Sequence, residues 1–300
     1  MNMENLEVLP QKNAFYLGGM IPLCARYDGF IVDLWGVIHD GKDLFPGVKE
    51  CLTYLHEQGK SVVFLTNSPR LSYNIGGLLD SFGIEDFLYT SIVSSGDLVY
   101  EDLLSFSDDS LENIKPKCFC IDELSDLSLF ENVNVEPVGA IDDADFIMVT
   151  TITGPLSDAD GYQRLLEQGL KRELPLVCAN ADKSVFVKGH EHIRPGFLGE
   201  WYKSRGGTVY MYGKPDGRMF SQALKYFSNI PASKIIVIGD NFDTDIKGAL
   251  DAGLDSAVVV SQMTGAFYDS ETHVLTLDKL ASLMKEHSQQ FVYCIPGFHL

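Results

Sequence analysis

The sequence has no Cys-x-x-Cys pair, and its six cysteines (Cys24, Cys51, Cys118, Cys120, Cys178 and Cys294) are scattered without a framework. That pattern predicts free thiols in a reducing compartment. Cys118 and Cys120 stand one residue apart on an expected strand, a poor arrangement for sharing a zinc ion. No run is long and apolar enough to span a bilayer. The N-terminus lacks a basic segment followed by an apolar one, so no secretory signal is expected and the chain reads as cytoplasmic. Positive charge is scarce: 23 Lys and Arg against 42 Asp and Glu leave a formal net charge of −19. A nucleic acid or an anionic membrane would need a basic face, so neither is expected as a partner. The acidic group Asp142, Asp143 and Asp145 lacks EF-hand spacing and reads as a solvated turn. Internal repeats and low-complexity segments are absent as well.

What is present is an ordinary globular composition, 45% hydrophobic over 300 residues. That length suits one large domain or two ordinary ones. Short apolar runs alternate with helix-like stretches, and this predicts a parallel α/β sheet. Phe30 to Val32 reads as a buried strand that stops at Asp33 and turns at Gly36. Pro46 and Gly47 open a helix over Val48 to Gln58, with Val48, Leu52 and Leu55 on one face. Ser61 to Leu65 is a second strand, ending in Thr66-Asn67-Ser68. The alternation loosens after Tyr89 to Ser95.

A middle segment has its own βα pattern. Lys117 to Ile121, Phe146 to Val149 and Leu174 to Cys178 read as strands. Ser157 to Leu170 reads as a helix with Ser157 as its N-cap. Asn180 and Asp182 follow just beyond the third of these strands. Pro195-Gly196 marks the return to the first domain, where Thr208 to Tyr212 leads into Gly213-Lys214-Pro215. Lys234 to Ile238 is the strongest strand and runs into Gly239-Asp240-Asn241-Phe242-Asp243-Thr244-Asp245. Ala257 to Val260 reads as the last strand.

Open α/β sheets bind ligands outside the carboxyl ends of their strands. Four such ends carry polar groups here: Asp33; Thr66 with Asn67; Lys214; and Asp240 with Asp245. A carboxylate at Asp33 could be a nucleophile, a metal ligand, both, or only a cap on the next segment. Thr66 and Asp245 could likewise be helix caps, and Lys214 a solvated lysine.

Taken together, these motifs resemble the haloacid dehalogenase superfamily of phosphotransferases. The resemblance covers nearly the whole chain beyond the first twenty-odd residues. The insert between the Thr66 and Lys214 motifs looks like the large cap of class IIA members, and Cys178-Ala179-Asn180-Ala181-Asp182 is similar to a cap sequence of that branch. The resemblance implies a doubly wound parallel α/β sheet, with a Rossmann-like core over residues 1–92 and 197–300 and an inserted α/β cap over 93–196. It implies a Mg²⁺-dependent phosphohydrolase for a small phosphorylated metabolite, such as a sugar phosphate, held between core and cap, and a homodimer paired through the cap.

Residue roles follow from the same resemblance. Asp33 would attack phosphorus and form an aspartyl-phosphate. Asp33, Asp240 and the backbone carbonyl of Trp35 would hold Mg²⁺. Thr66 and the Asn67 amide would bind phosphate oxygens, and Lys214 would neutralise transferring charge. Asn241 and Asp245 would orient the metal shell. Asn180 and Asp182 would contact substrate. His39, His190 and His192 read by default as surface or loop histidines. One departure stands out. Phosphatases of the superfamily carry a second aspartate two residues after the nucleophile, as general acid and base. Here that position is Trp35, whose indole donates a hydrogen bond but has no usable basic site. His39 and Asp40, on the same loop, are the candidates to replace it. The alternative reading is a catalytically impaired protein that binds a phosphate ligand.

Overall fold

The computed structural model describes residues 7–8, 15–105, 111, 114–122, 128–152, 154–187, 190–260 and 293–300. Residues 105–110, a polar patch in the sequence, fall almost wholly outside them. The chain forms two compact units: residues 1–66, 76–93 and 215–300 make one, and residues 67–75 and 94–214 the other.

The first unit is built on an eight-stranded sheet. Its order is Glu7–Val8, Phe15–Tyr16, Tyr293–Ile295, Asp255–Val259, Ile235–Gly239, Gly29–Val32, Ser61–Thr66 and Ser91–Ser94. Glu7–Val8 pairs antiparallel with Phe15–Tyr16, and the central strands run parallel. Central parallel strands are covered on both faces and need continuous apolar runs. Phe30, Ile31 and Val32 are fully buried, as are Ile236 and Ile238 beside them. From Gly29–Val32 the chain first builds outward through Ser61–Thr66, then returns to add Ile235–Gly239 on the other side. The order in which strands are added therefore reverses between Gly29–Val32 and Ile235–Gly239, at the topological switch point where such sheets bind ligands.

The helix predicted after Pro46 runs over Val48–Glu57 and buries Val48, Cys51, Leu52 and Leu55 at helical spacing. Gly47 precedes it at φ 81°. The strand predicted as the last is not the last: Tyr293–Ile295 pairs parallel with Asp255–Val259. Three residues are too short a run to announce a strand, yet all three are buried.

The second unit has a five-stranded parallel sheet, ordered Val209–Met211, Leu176–Cys178, Phe146–Thr151, Lys117–Asp122 and Glu136–Pro137. A separate hairpin pairs Ser184–Val187 with His190–Ile193. Its core gathers Ile147, Val149, Leu166, Leu176, Leu198 and Tyr202 from sheet and helices. The helix expected from Ser157 instead runs over Ala159–Lys171. A short 3₁₀ turn, Leu156–Asp158, takes up its expected start, and the capping position falls to Asp158.

Candidate active site

Asp33 follows directly on Gly29–Val32, and its backbone N–H donates to the Ile238 carbonyl at 2.9 Å. That bond aligns the ends of the two strands flanking the switch point. Asp240 is the first residue beyond Ile235–Gly239. Oxygens of Asp33, Asp240 and Asp245 all lie within 4.8 Å of one another. Asp33 and Asp245 are buried, at 7% and 2% exposure, and Asp240 is half-buried. Three carboxylates brought this close repel one another unless a cation or protons intervene.

Two glycines make room for the cluster. Gly36 has φ +88°, a backbone that side chains rarely adopt, and a Cβ there would stand 2.0 Å from Asp240 Oδ2. A Cβ at Gly239 would stand 2.2 Å from the Asp245 Cβ. Neither role is visible in the sequence beyond the pairing of glycine with an acidic residue at a strand end. The oxygen-only donor set suits a hard cation such as Mg²⁺. Asn241 uses its side-chain oxygen to accept from the Asp243 N–H at 2.9 Å, and the Asn241 N–H donates to Asp245 Oδ2 at 3.2 Å. The Asp245 carboxylate is thus tied back to the strand end through the Asn241 backbone N–H.

The Trp35 indole lies close to Gly41 on its loop, where an added Cβ would come within 2.3 Å of it. The indole also meets the His39 ring edge-on at a centroid distance of 5.9 Å. His39 is buried, and burial pushes its imidazole down to about 4. Its Nδ1 accepts from the Gly41 N–H at 3.0 Å, so the ring proton lies on Nε2. Asp40 Oδ1 accepts from the Asp43 N–H at 2.8 Å and the Lys42 N–H at 2.9 Å. Those two bonds hold its carboxyl below the usual range. Neither group is set up as a proton donor near neutrality.

Thr66 ends its strand and is buried at 5% exposure. In the second unit, Asn67, Asn180 and Lys214 are also buried. The Asn67 side chain accepts from the Lys214 N–H at 2.5 Å. It donates to Asp182 Oδ1 at 2.8 Å and to the Lys214 carbonyl at 3.2 Å. Asn180 Oδ1 in turn accepts from the Asp182 N–H at 2.8 Å. The structure therefore draws together Asn67, Asn180, Asp182 and Lys214 in one unit, and Asp33, Asp240 and Asp245 in the other. The use of side chains from Asn67 and Asp182 on each other was not foreseen from the sequence.

Comparison with known proteins agrees with this geometry. The family described as haloacid dehalogenase-like hydrolase matches residues 30–136, and the HAD-hydrolase-like family matches 211–281. The chain is 22% identical over 254 residues to the 5'-nucleotidase YutF of Bacillus subtilis, covering 79% of this chain and 89% of the relative. It is 22% identical over 268 residues to the sugar-phosphatase AraL of the same organism, covering 86% and 91%. A haloacid dehalogenase-like hydrolase from Brucella suis superposes with a TM-score of 0.77 at 25% identity, covering 94% of this chain and 99% of that one. A possible sugar phosphatase from Cytophaga hutchinsonii gives 0.73 at 22%, covering 95% and 98%. The glycerol phosphate phosphatase Rv1692 of Mycobacterium tuberculosis, solved with magnesium, gives 0.60 at 20%, covering 86% and 77%. With its carboxylates gathered at the switch point of a parallel sheet and both family matches spanning those strand ends, the chain belongs to the haloacid dehalogenase-like hydrolases.

Proposed function

We propose that this protein is a Mg²⁺-dependent phosphohydrolase that acts on a small phosphorylated metabolite through an aspartyl-phosphate on Asp33. The observation that carries the reading is the gathering of Asp33, Asp240 and Asp245 oxygens within 4.8 Å at the switch point. Asp33, Asp240 and the Trp35 carbonyl would hold the metal, which supplies charge neutralisation for a transferring phosphoryl group.

The remaining chemistry belongs to side chains. One Asp33 oxygen attacks phosphorus as the bond to the leaving oxygen breaks. Thr66 and the Asn67 amide hold phosphate oxygens, and Lys214 balances the negative charge of phosphate and carboxylates. Water then cleaves the acyl phosphate and regenerates Asp33. A cap that selects the substrate belongs to the same proposal, but its expected bounds of 93–196 are corrected at the far end: the second unit continues through residue 214, because Val209–Met211 pairs with Leu176–Cys178 in its sheet rather than returning to the first. Sugar phosphates are the favoured class, given AraL and the Cytophaga hutchinsonii protein among its relatives. The six cysteines are all free, which supports a reducing, cytoplasmic setting. Among the described residues no helix is long and apolar enough to cross a membrane.

Phosphate release from a panel of phosphorylated metabolites, with and without Mg²⁺, tests the reading. Turnover that requires Mg²⁺ is the expected result. Tight phosphate-ligand binding without any release would overturn it in favour of a binding protein.

A further inference from the structure

Four separate segments of the second unit meet around Asn67. An amide is the one uncharged side chain here that offers an acceptor and a two-proton donor together. Asn67 uses both ends: its Oδ1 takes the Lys214 N–H, and its Nδ2 serves Asp182 Oδ1 and the Lys214 carbonyl. The approach is close enough to constrain Gly213. That residue has φ +119°, and a Cβ on it would stand 2.6 Å from Asn67 Oδ1. The main chain at Asn67 is pinned as well. Ser95 is fully buried, and its Oγ lies 2.8 Å from the Asn67 and Ser68 carbonyls and 2.7 Å from the Ala179 carbonyl. One hydroxyl proton serves one carbonyl at a time, so Ser95 acts as a clip shared among three acceptors. It ties the segment beyond Thr66 to the turn that carries Asn180 and Asp182.

We propose that the Asn67 side chain is a positioning link that transmits the placement of Asp182 to the backbone of Lys214. Asp182 anchors Nδ2, which fixes the plane of the amide; Nδ2 then also meets the Lys214 carbonyl, and Oδ1 at the opposite end takes the Lys214 N–H. Asn67 then has two functions on two parts of the residue. Its backbone amide is assigned to phosphate, and its side chain holds the lysine that balances phosphate charge. The assignment of a catalytic role to Lys214 rests on the phosphatase reading; the link itself does not.

The test is amide hydrogen exchange at Lys214 in the full chain, followed by NMR, with p-nitrophenyl phosphate hydrolysis as a second readout. Asn67→Ala removes the acceptor and is expected to speed Lys214 exchange roughly tenfold. Asp182→Ala, which leaves the Asn67 Oδ1 acceptor of the Lys214 N–H in place, is expected to speed it as well, and to add nothing in the Asn67→Ala background. Asn67→Asp keeps an acceptor for Lys214 but places two carboxylates against each other, so protection should fall. Asn67→Asp with Asp182→Asn restores a donor and an acceptor in exchanged positions, and protection should return. That pair carries the test if the alanine variants do not fold. In hydrolysis, the misplaced lysine should lower kcat by up to roughly 10²-fold with a smaller change in KM, and the exchanged pair should recover it.

Unchanged Lys214 protection in Asp182→Ala would overturn the link. So would additive losses in the double variant, or no recovery in the exchanged pair. Intact coupling in a protein that releases no phosphate from any substrate would instead sink the phosphatase reading and leave the link standing.

Discussion

Gly36→Ala is the sharpest perturbation of the carboxylate cluster, because the added atom has one place to go. At φ +88° the substituted backbone is strained by about 1–2 kcal/mol whatever surrounds it. The new Cβ would also stand 2.0 Å from Asp240 Oδ2, and contacts under 3.0 Å essentially never occur. The carboxylate must therefore withdraw by about 1 Å, or the loop must. Mg²⁺ holds its ligands near 2.1 Å in an almost ideal octahedron, so a shift of that size removes a ligand. Disturbing even the residues behind a metal ligand costs roughly 10–100-fold in affinity, and displacing the ligand itself should cost at least that. Gly59→Ala is the control: φ is +65° there, with nothing within 4 Å of the added carbon. It carries the backbone strain without the clash. Titration calorimetry with Mg²⁺ should show weak or absent binding in Gly36→Ala and wild-type affinity in Gly59→Ala, with similar modest losses of unfolding free energy in both. Gly36→Ala that is folded and binds Mg²⁺ like the wild type would refute the assignment of Asp240 to the metal.

Three further outcomes are expected. With no carboxyl at position 35, and Asp40 committed to backbone N–H groups, leaving oxygens of low pKa should be favoured. General acids typically supply on the order of 10²–10⁴ in rate, so aryl and acyl phosphates should outpace alkyl phosphates by a wide margin, with a burst before slow turnover. Trp35→Asp should narrow that margin and remove the burst; a wild-type rate indifferent to leaving group would show that another acid is in place. His39 should make stability depend on pH. Its imidazole is neutral in the fold and titrates near 4 against 6.5 when unfolded, so the unfolded chain binds the extra proton and stability falls as pH drops from about 6.5 towards 4. The full loss is about 3 kcal/mol, and urea unfolding at pH 7 and 4.5 should show a smaller pH effect in His39→Leu than in wild type. Equal pH effects in the two proteins would contradict the burial argument. Finally, Asp33→Asn should abolish phosphate release while leaving unfolding free energy close to wild type.

The cluster was legible because its parts obey local rules. Phe30 to Val32 and Lys234 to Ile238 are apolar runs long enough to read as strands, and each ends at an acidic residue or a Gly-Asp pair. Knowing that parallel strands place their carboxyl ends on one edge then suffices to bring Asp33 and Asp240 together. The Asn67 network was illegible for the opposite reason. Its partners Asp182 and Lys214 are 115 and 147 residues away, and an asparagine reads the same whether it binds ligand or backbone. Tyr293–Ile295 was missed because a three-residue strand gains its identity from Asp255–Val259 beside it, not from its own pattern. The shift of the expected Ser157 cap by one residue has a local cause: a 3₁₀ turn and an α-helical start draw on the same polar residues.

The central claim is that Asp33 carries the phosphoryl group. Incubating the protein with p-nitrophenyl phosphate and Mg²⁺, quenching in acid within the first turnover and mapping peptides by mass spectrometry tests it directly. The account predicts one added phosphoryl group on the peptide holding Asp33, lost on treatment with hydroxylamine and absent when Mg²⁺ is withheld. Phosphate released at an undiminished rate, with Asp33 unmodified at every quench time and with Asp33→Asn still turning over, would contradict it.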